Sequence, residues 1–144
     1  MIAYLSEDIA FGFEGKKRRT SAWLRAIAGR EGRRIGDLSV VFCSDPYLLS
    51  VNRQYLGHDY YTDIITFDYC EGDVLSGDLL ISIDTVRANA AEYGAASFEE
   101  ELSRVIAHGL LHLIGYDDHT PEDQAMMRQK ENEALALLKT IVRC

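Results

Sequence analysis

Apolar positions along this chain recur with two periods, and each period marks a different kind of element. Short runs rich in β-branched and aromatic residues read as strands at residues 2–5, 37–44, 63–69 and 78–83. Between and after them, apolar residues return every three or four positions, the spacing of one helical face. Residues 16–31 alternate basic and apolar positions, with Trp23, Leu24 and Ile27 on one stripe. Further helices are expected over 46–56 (ending near Gly57), 84–93 (stopped by Gly94), 97–115 and 121–142. The chain's two prolines open helical patterns, in Asp45-Pro46 and Thr120-Pro121, where a first-turn proline costs little. Ser97, with Glu100 three residues on, has the form of a capping box. "EGDVLSG", residues 71–77, reads as turn material.

The order is therefore β-α-β-α-β-β-α-α-α. Helical crossovers join parallel strands, so the first two connections favour parallel pairing, and the close third and fourth strands form a hairpin that adds an antiparallel one. The expected fold class is α+β, a small mixed sheet of about four strands packed with helices. The 144 residues suit a single domain, 1–144. The first residues lack the basic flank and cleavage site of a secretory signal, and the longest apolar run near the histidines is too short to span a bilayer. A cytoplasmic protein without membrane association is expected. Cys43, Cys70 and Cys144 make an odd set without a C-x-x-C pair, which argues for free thiols.

Charge changes this picture in one place. The chain is -8 overall, but residues 15–34 carry eight basic residues and one acidic residue. The remainder is strongly acidic. A basic block beside an acidic body is either a solvated helix face or a nucleic-acid contact, and the candidates for contact are Lys16, Lys17, Arg18 and Arg19.

The candidate chemistry lies in "HGLLHLIGYDDH", His108 to His119. His108 and His112 stand four apart, so both rings share one helical face and can reach one ion. That spacing alone is weak, but two histidines on an apolar helix need partners, and a shared ion supplies them. Gly115 then stops the helix and turns the chain back, so that His119 or Asp118 can bring a third donor. Three protein ligands leave a position for water, as in catalytic zinc sites. A zinc protease of the H-E-x-x-H type needs a glutamate after the first histidine, and here Gly109 stands there. Gly109 also allows close approach of a neighbouring element or a substrate.

These residues carry a family resemblance. "HGLLHLIGYDDH" is similar to the H-G-x-L-H-L-x-G-Y-D-H signature of the YbeY family of bacterial rRNA maturation factors. "VNRQYLGHDYYTDIITFDY" and "SGDLLISIDTVRANAAEYGAASFEEELSRVIAHG" resemble the segments that precede it, so the likeness covers residues from about 51 to 119 in order. The resemblance implies a fold like a reduced zinc metalloprotease, and one Zn2+ per chain on three histidines. It also implies single-strand-specific endoribonuclease activity at the 3′ end of small-subunit (16S) rRNA, with roles in ribosome assembly and quality control. The implied partners are rRNA and the small ribosomal subunit, a ribosomal protein and an assembly GTPase.

The chain departs from the family pattern twice. The family's third histidine falls six residues after the second; here that position is Asp118, and His119 follows it. Chemistry favours His119 and register favours Asp118. Asp117 is either an orienting partner for a histidine or an exposed turn residue. The family's cleft arginine is replaced by Leu56, neighbouring lysine positions read His58 and Tyr60, and the proline before Thr62-Asp63 is Tyr61. Arg53, three residues before Leu56, is the candidate for phosphate or transition-state contact, or else a surface arginine. Tyr60 and Tyr61 can stack on unpaired bases or pack over the sheet. Thr62 and Asp63 match the family and are expected to shape the cleft. Arg104 and Glu101 form a supporting pair for His108 or an exposed helix pair; Met126 and Met127 read as core.

The expected function is zinc-dependent endoribonuclease, with His108, His112 and Arg53 as catalytic residues. The metal would sit on His108, His112 and His119 (or Asp118). Arg53, Tyr60, Tyr61, Lys16, Lys17, Arg18 and Arg19 would contact RNA. The rival readings are a non-enzymatic ribosome-assembly factor with a structural metal and, against Gly109, a zinc peptidase.

Overall fold

Among the described residues, four strands form one mixed sheet, in the order Ile2–Ser6, Arg34–Cys43, Val74–Ser82, Ile64–Asp68. The computed structural model describes residues 1–13, 15–57, 62–93 and 97–141. The elements are β1 Ile2–Ser6, α1 Lys17–Arg30, β2 Arg34–Cys43, α2 Asp45–Val51, β3 Ile64–Asp68, β4 Val74–Ser82, α3 Ile83–Tyr93, α4 Phe98–Ile114 and α5 Pro121–Thr140. The α+β class expected from the sequence is the one observed.

The first crossover behaves as expected, since β1 and β2 pair in parallel. The second does not: β3 is not paired with β2 but lies at the far edge, antiparallel to β4, and β4 takes the place beside β2 in parallel. Burial explains the exchange. Leu79, Leu80 and Ile81 of β4 are all buried, so that end of the strand is apolar on both faces and belongs inside a sheet. The five-residue β3 is only partly buried and fits an edge. The segment read as turn material is half strand, because Val74 to Gly77 already pair with β2.

Alternation along the strands builds two cores. Leu38, Val40, Phe42, Leu79 and Ile81 face α1, α4 and α5, where Trp23, Leu24 and Leu110 meet them. Val41, Cys43 and Leu80 face the other way and are covered by Leu48 and Val51 of α2. Trp23 also donates its indole N–H to the Ala134 carbonyl at 2.7 Å, tying α1 to α5.

Two glycines set how closely the pieces approach. A Cβ at Gly109 would lie 2.7 Å from Ile64 Cδ1 and 3.0 Å from a Leu79 methyl. Gly109 therefore lets α4 sit against β3 and β4, so the close approach is made by a neighbouring element. A Cβ at Gly77 would lie 2.2 Å from the Phe67 carbonyl oxygen, so only glycine lets β4 pair with β3 at that point.

The helix ends largely follow the sequence. Ser97 accepts from the Glu100 N–H at 3.1 Å and Thr120 from the Asp123 N–H at 3.0 Å. At α2 the cap is Ser44, not Asp45, accepting from the Tyr47 N–H at 3.3 Å. Asp45 instead accepts from the Ser82 and Thr85 hydroxyls, which joins α2 to the end of β4. The helix expected over 46–56 widens into a π-helical turn over Asn52–Leu56, which ends at Gly57 with φ 69°. Such turns displace side chains from the regular register and recur beside functional sites. No helix among the described residues is long and apolar enough to cross a membrane.

Candidate metal centre

α4 carries His108 and His112 on the face that meets the β3 edge, and the Nε2 atoms of the two rings approach to 2.9 Å. Gly115, at φ 126°, ends α4, and the N–H groups of Gly115 and Tyr116 both donate to the Leu111 carbonyl. This positive-φ glycine stop folds the next residues back along the helix. Asp118 then places Oδ2 3.4 Å from His108 Nε2 and 3.6 Å from His112 Nε2. Ligands about 2.0–2.1 Å from one tetrahedral zinc stand about 3.3–3.4 Å apart. Two imidazoles and a carboxylate at these separations thus fit one divalent ion with little adjustment. The ligand atoms of His108, His112 and Asp118 all lie within 4.8 Å of one another, and this is the group of possible metal ligands among the described residues.

Of the two candidates for third donor, Asp118 is the one brought to the histidines. His119 lines the same cleft but stands outside the cluster. Asp117 is exposed, the position of a turn residue.

The group behind His108 comes from α5. Glu131, 7% exposed, accepts from His108 Nδ1–H at 2.7 Å and from Arg104 at 3.1 Å. With Nδ1 donating, Nε2 keeps its lone pair for an ion, the arrangement in which a carboxylate fixes the ligating tautomer. The Arg104 ion pair thus runs to Glu131 on α5 and not along α4 to Glu101. Sequence reasoning missed Glu131, although a signal existed. It lies four residues after Met127 and four before Leu135, both buried, so a carboxylate occupies the apolar stripe of α5.

Electrostatics at the cluster follow from these contacts. Burial disfavours a charged His108, but the Glu131 bond and charge, with Asp63 and Asp118, outweigh it and raise the ring above its ordinary value. Burial and the neighbouring His108 push His112 down. Burial pushes the Asp63 carboxyl up, and His108 offsets this only in part.

An open cleft of about 490 Å³ exposes the cluster, walled by Asn52 and Leu56 of the π-helical turn and by Thr62, Asp63 and Thr66 of the β3 side. Thr62 and Asp63 thus shape the cleft as expected. No Lys or Arg is among the described residues that line it. Arg53 lies on the exposed side of the same turn, while its neighbours Asn52 and Leu56 face the cleft. His58, Tyr60 and Tyr61 lie outside the described residues. Of the basic candidates in α1, Arg19 donates to the Leu138 and Ile141 carbonyls at the end of α5, and Lys16 pairs with Glu99 at 3.4 Å. Lys17 and Arg18 are exposed on α1, apart from the cleft.

Comparison with known proteins agrees with the motif and the fold. Residues 5–139 match the family model described as Endoribonuclease YbeY. The chain is 57% identical over 122 residues to an Endoribonuclease YbeY of Bacteroides thetaiotaomicron, covering 85% of this chain and 88% of that one. It is 51% identical over 138 residues to the Phocaeicola vulgatus protein of the same name, covering 96% and 99%. The solution structure of TM1509 from Thermotoga maritima superposes with a TM-score of 0.66 at 31% identity, covering 96% of this chain and 89% of that one. Helix-borne histidines, the glycine stop and a match spanning nearly all of the sequence converge on one assignment: the chain belongs to the Endoribonuclease YbeY family.

Proposed function

We propose that this protein is a zinc-dependent endoribonuclease that trims single-stranded RNA at the 3′ end of small-subunit rRNA in the cytoplasm, serving ribosome assembly and quality control. Its partners in this reading are the small ribosomal subunit, a ribosomal protein and an assembly GTPase. The observation that carries the chemistry is the convergence of His108, His112 and Asp118 at ligand–ligand spacing in an open cleft, in a chain of this family. When bound, zinc supplies Lewis acidity, which acidifies a coordinated water and polarises a phosphoryl oxygen.

The chain's own residues do the remaining work. Glu131 fixes the His108 ring, and Arg104 neutralises Glu131 on its far side. Asp63, a carboxyl in the cleft raised by burial, is the group suited to hold a proton during phosphodiester cleavage. Gly109 leaves no carboxylate where a zinc peptidase has its base, which argues against peptide hydrolysis.

One observation favours a second reading, a non-enzymatic assembly factor whose metal is a scaffold. The cleft has Leu56 where the family has an arginine, and no described Lys or Arg lines it. The deciding experiment incubates zinc-loaded wild type and a folded His112→Ala variant with small-subunit particles bearing 3′-extended rRNA. Cleavage by wild type alone supports the enzyme. Cleavage by neither, with particle binding intact in both, supports the assembly factor.

A further inference from the structure

A groove of about 680 Å³ runs between the outer edge of β1 and helix α1. Its strand wall is Ile2, Ala3 and Tyr4, and its helix wall includes Lys17, Arg18 and Arg25. No carboxylate is among the described residues that line it. We propose that this groove is a second RNA-contact site, which holds phosphates of a single strand at the sheet edge opposite the histidine cleft. The proposal rests on the RNA-cleaving reading above and adds to it where the substrate is anchored.

The structure engages some residues of the basic block elsewhere. Arg19 ends α5, Lys16 pairs with Glu99, and Arg34 pairs with Asp73 at 3.6 Å. Arg18 and Arg25 are exposed, and neither has an ion-pair partner among the described residues. They stand seven residues apart on α1, two helical turns, so both guanidinium groups project along one wall, about 10 Å apart in rise. Outside residues 15–34 the chain is strongly acidic, and no described Lys or Arg lines the cleft. A polyanion that reaches the cleft finds no Lys or Arg contact among its described walls, whereas this groove is positive along its helix wall.

Sheet register fixes where the groove lies. Tyr4 pairs with Val40, Val40 with Leu79, and Leu79 with Thr66. Tyr4 lines the groove and Thr66 lines the cleft. The two sites therefore sit at opposite ends of one transverse row, three interstrand steps or about 14 Å apart. Paired residues share a face, and on this face Leu79 meets α4 at Gly109. Single-strand binders cover about 4–16 nucleotides, so a strand near the upper end of that range reaches both sites. An acidic protein segment adding to the β1 edge is the competing occupant. That mode draws on pockets for alternate side chains, and the helix wall offers guanidinium groups, Ser21 and Ala22 instead.

The test measures fluorescence anisotropy of labelled single-stranded RNAs of about 5 and about 16 nucleotides. Wild type and Arg18→Gln/Arg25→Gln are titrated across a salt series, after circular dichroism and melting show both folded. Loss of two phosphate contacts is expected to flatten the log–log salt slope for the longer RNA by about 1.4. It should also shrink the affinity advantage of the longer over the shorter strand. An unchanged slope, in a wild type that binds and cleaves RNA, overturns the groove assignment and leaves the catalytic reading standing. Poly-glutamate binding that the variant loses, with RNA binding unaltered, overturns it in favour of protein docking. Wild type that neither binds nor cleaves RNA removes both readings together.

Discussion

Replacing Glu131 with glutamine tests the role assigned to α5. Glu131 offers two carboxylate oxygens to two donors, Arg104 at 3.1 Å and His108 Nδ1 at 2.7 Å. Glutamine keeps the shape but offers one acceptor and replaces the other with an N–H2 group that faces a donor. With Nδ1–H donating, the tautomer that leaves Nε2 for an ion, one of the two contacts must break; keeping both forces His108 into the other tautomer, with its proton on Nε2. The side chains of Glu131, Arg104 and His108 are 9%, 20% and 23% exposed, so water restores little of the loss. A hydrogen bond to a charged group contributes about 1.5–3 kcal/mol. For a chain of this length, that lowers the melting temperature of the metal-free protein by about 4–10 °C. If His108 loses its anchor, metal affinity falls by about 10–100-fold, as it does when outer partners of ligating histidines are removed. Competition with a chromophoric zinc chelator measures the affinity, and calorimetry of the metal-free protein measures the melting shift. A folded Glu131→Gln protein with wild-type zinc affinity and melting temperature would refute the reasoning, because His108 would then be oriented by something else.

Further outcomes are expected. Asp118→Ala should lose at least tenfold in zinc affinity, while His119→Ala stays close to wild type in the same chelator assay; the reverse order would make His119 the donor. Burial favours the neutral acid at Glu131, but His108 and Arg104 outweigh it and hold the carboxyl below its ordinary 4.5. Its stabilisation is therefore present above that value and lost as pH falls through the lower folded one. Between about pH 5 and pH 3 the metal-free wild type should lose more stability than Glu131→Gln, and parallel acid-unfolding curves would contradict this. Gly77→Ala drives a Cβ against the Phe67 carbonyl and should cost about 3 kcal/mol or more in urea unfolding; a loss under about 1 kcal/mol would show that β3 moves away freely. Burial, with Asp8 and Asp45 nearby, pushes the Cys43 thiol up to about 12, so alkylation at pH 8 should label it only when urea unfolds the chain. Mass spectrometry of the Cys43 peptide reads this directly.

Element types were legible because strand and helix periods are local properties of the chain, and the nine α and β elements among the described residues stand near their expected places. Strand order was less so. The crossover rule places β3 beside β2, whereas the doubly apolar end of β4 competes for that central position and wins. The π-helical turn at Asn52–Leu56 breaks no sequence rule, since its residues would suit an ordinary helix. The histidine pair was legible from its four-residue spacing. The third donor was not settled by sequence, because Asp118 and His119 are adjacent and the backfolding after Gly115 decides which one points at the pair. Glu131 was hidden for a different reason. Its partner lies 23 residues away, and only the docking of α5 on α4 brings them together. The use of Arg19 at the end of α5 was hidden in the same way.

That separation also orders events in time. His108, His112 and Asp118 leave the ribosome close together during synthesis, but Glu131 follows His108 by 23 residues. At about 5–20 residues per second, this is a delay of about 1–5 s. During that interval the His108 ring has no anchor for Nδ1 and turns freely between its orientations. Tight metal binding would therefore be a late acquisition of the nascent chain, gained when α5 docks, and a zinc-binding signal followed during translation should rise with that helix and not with the histidines.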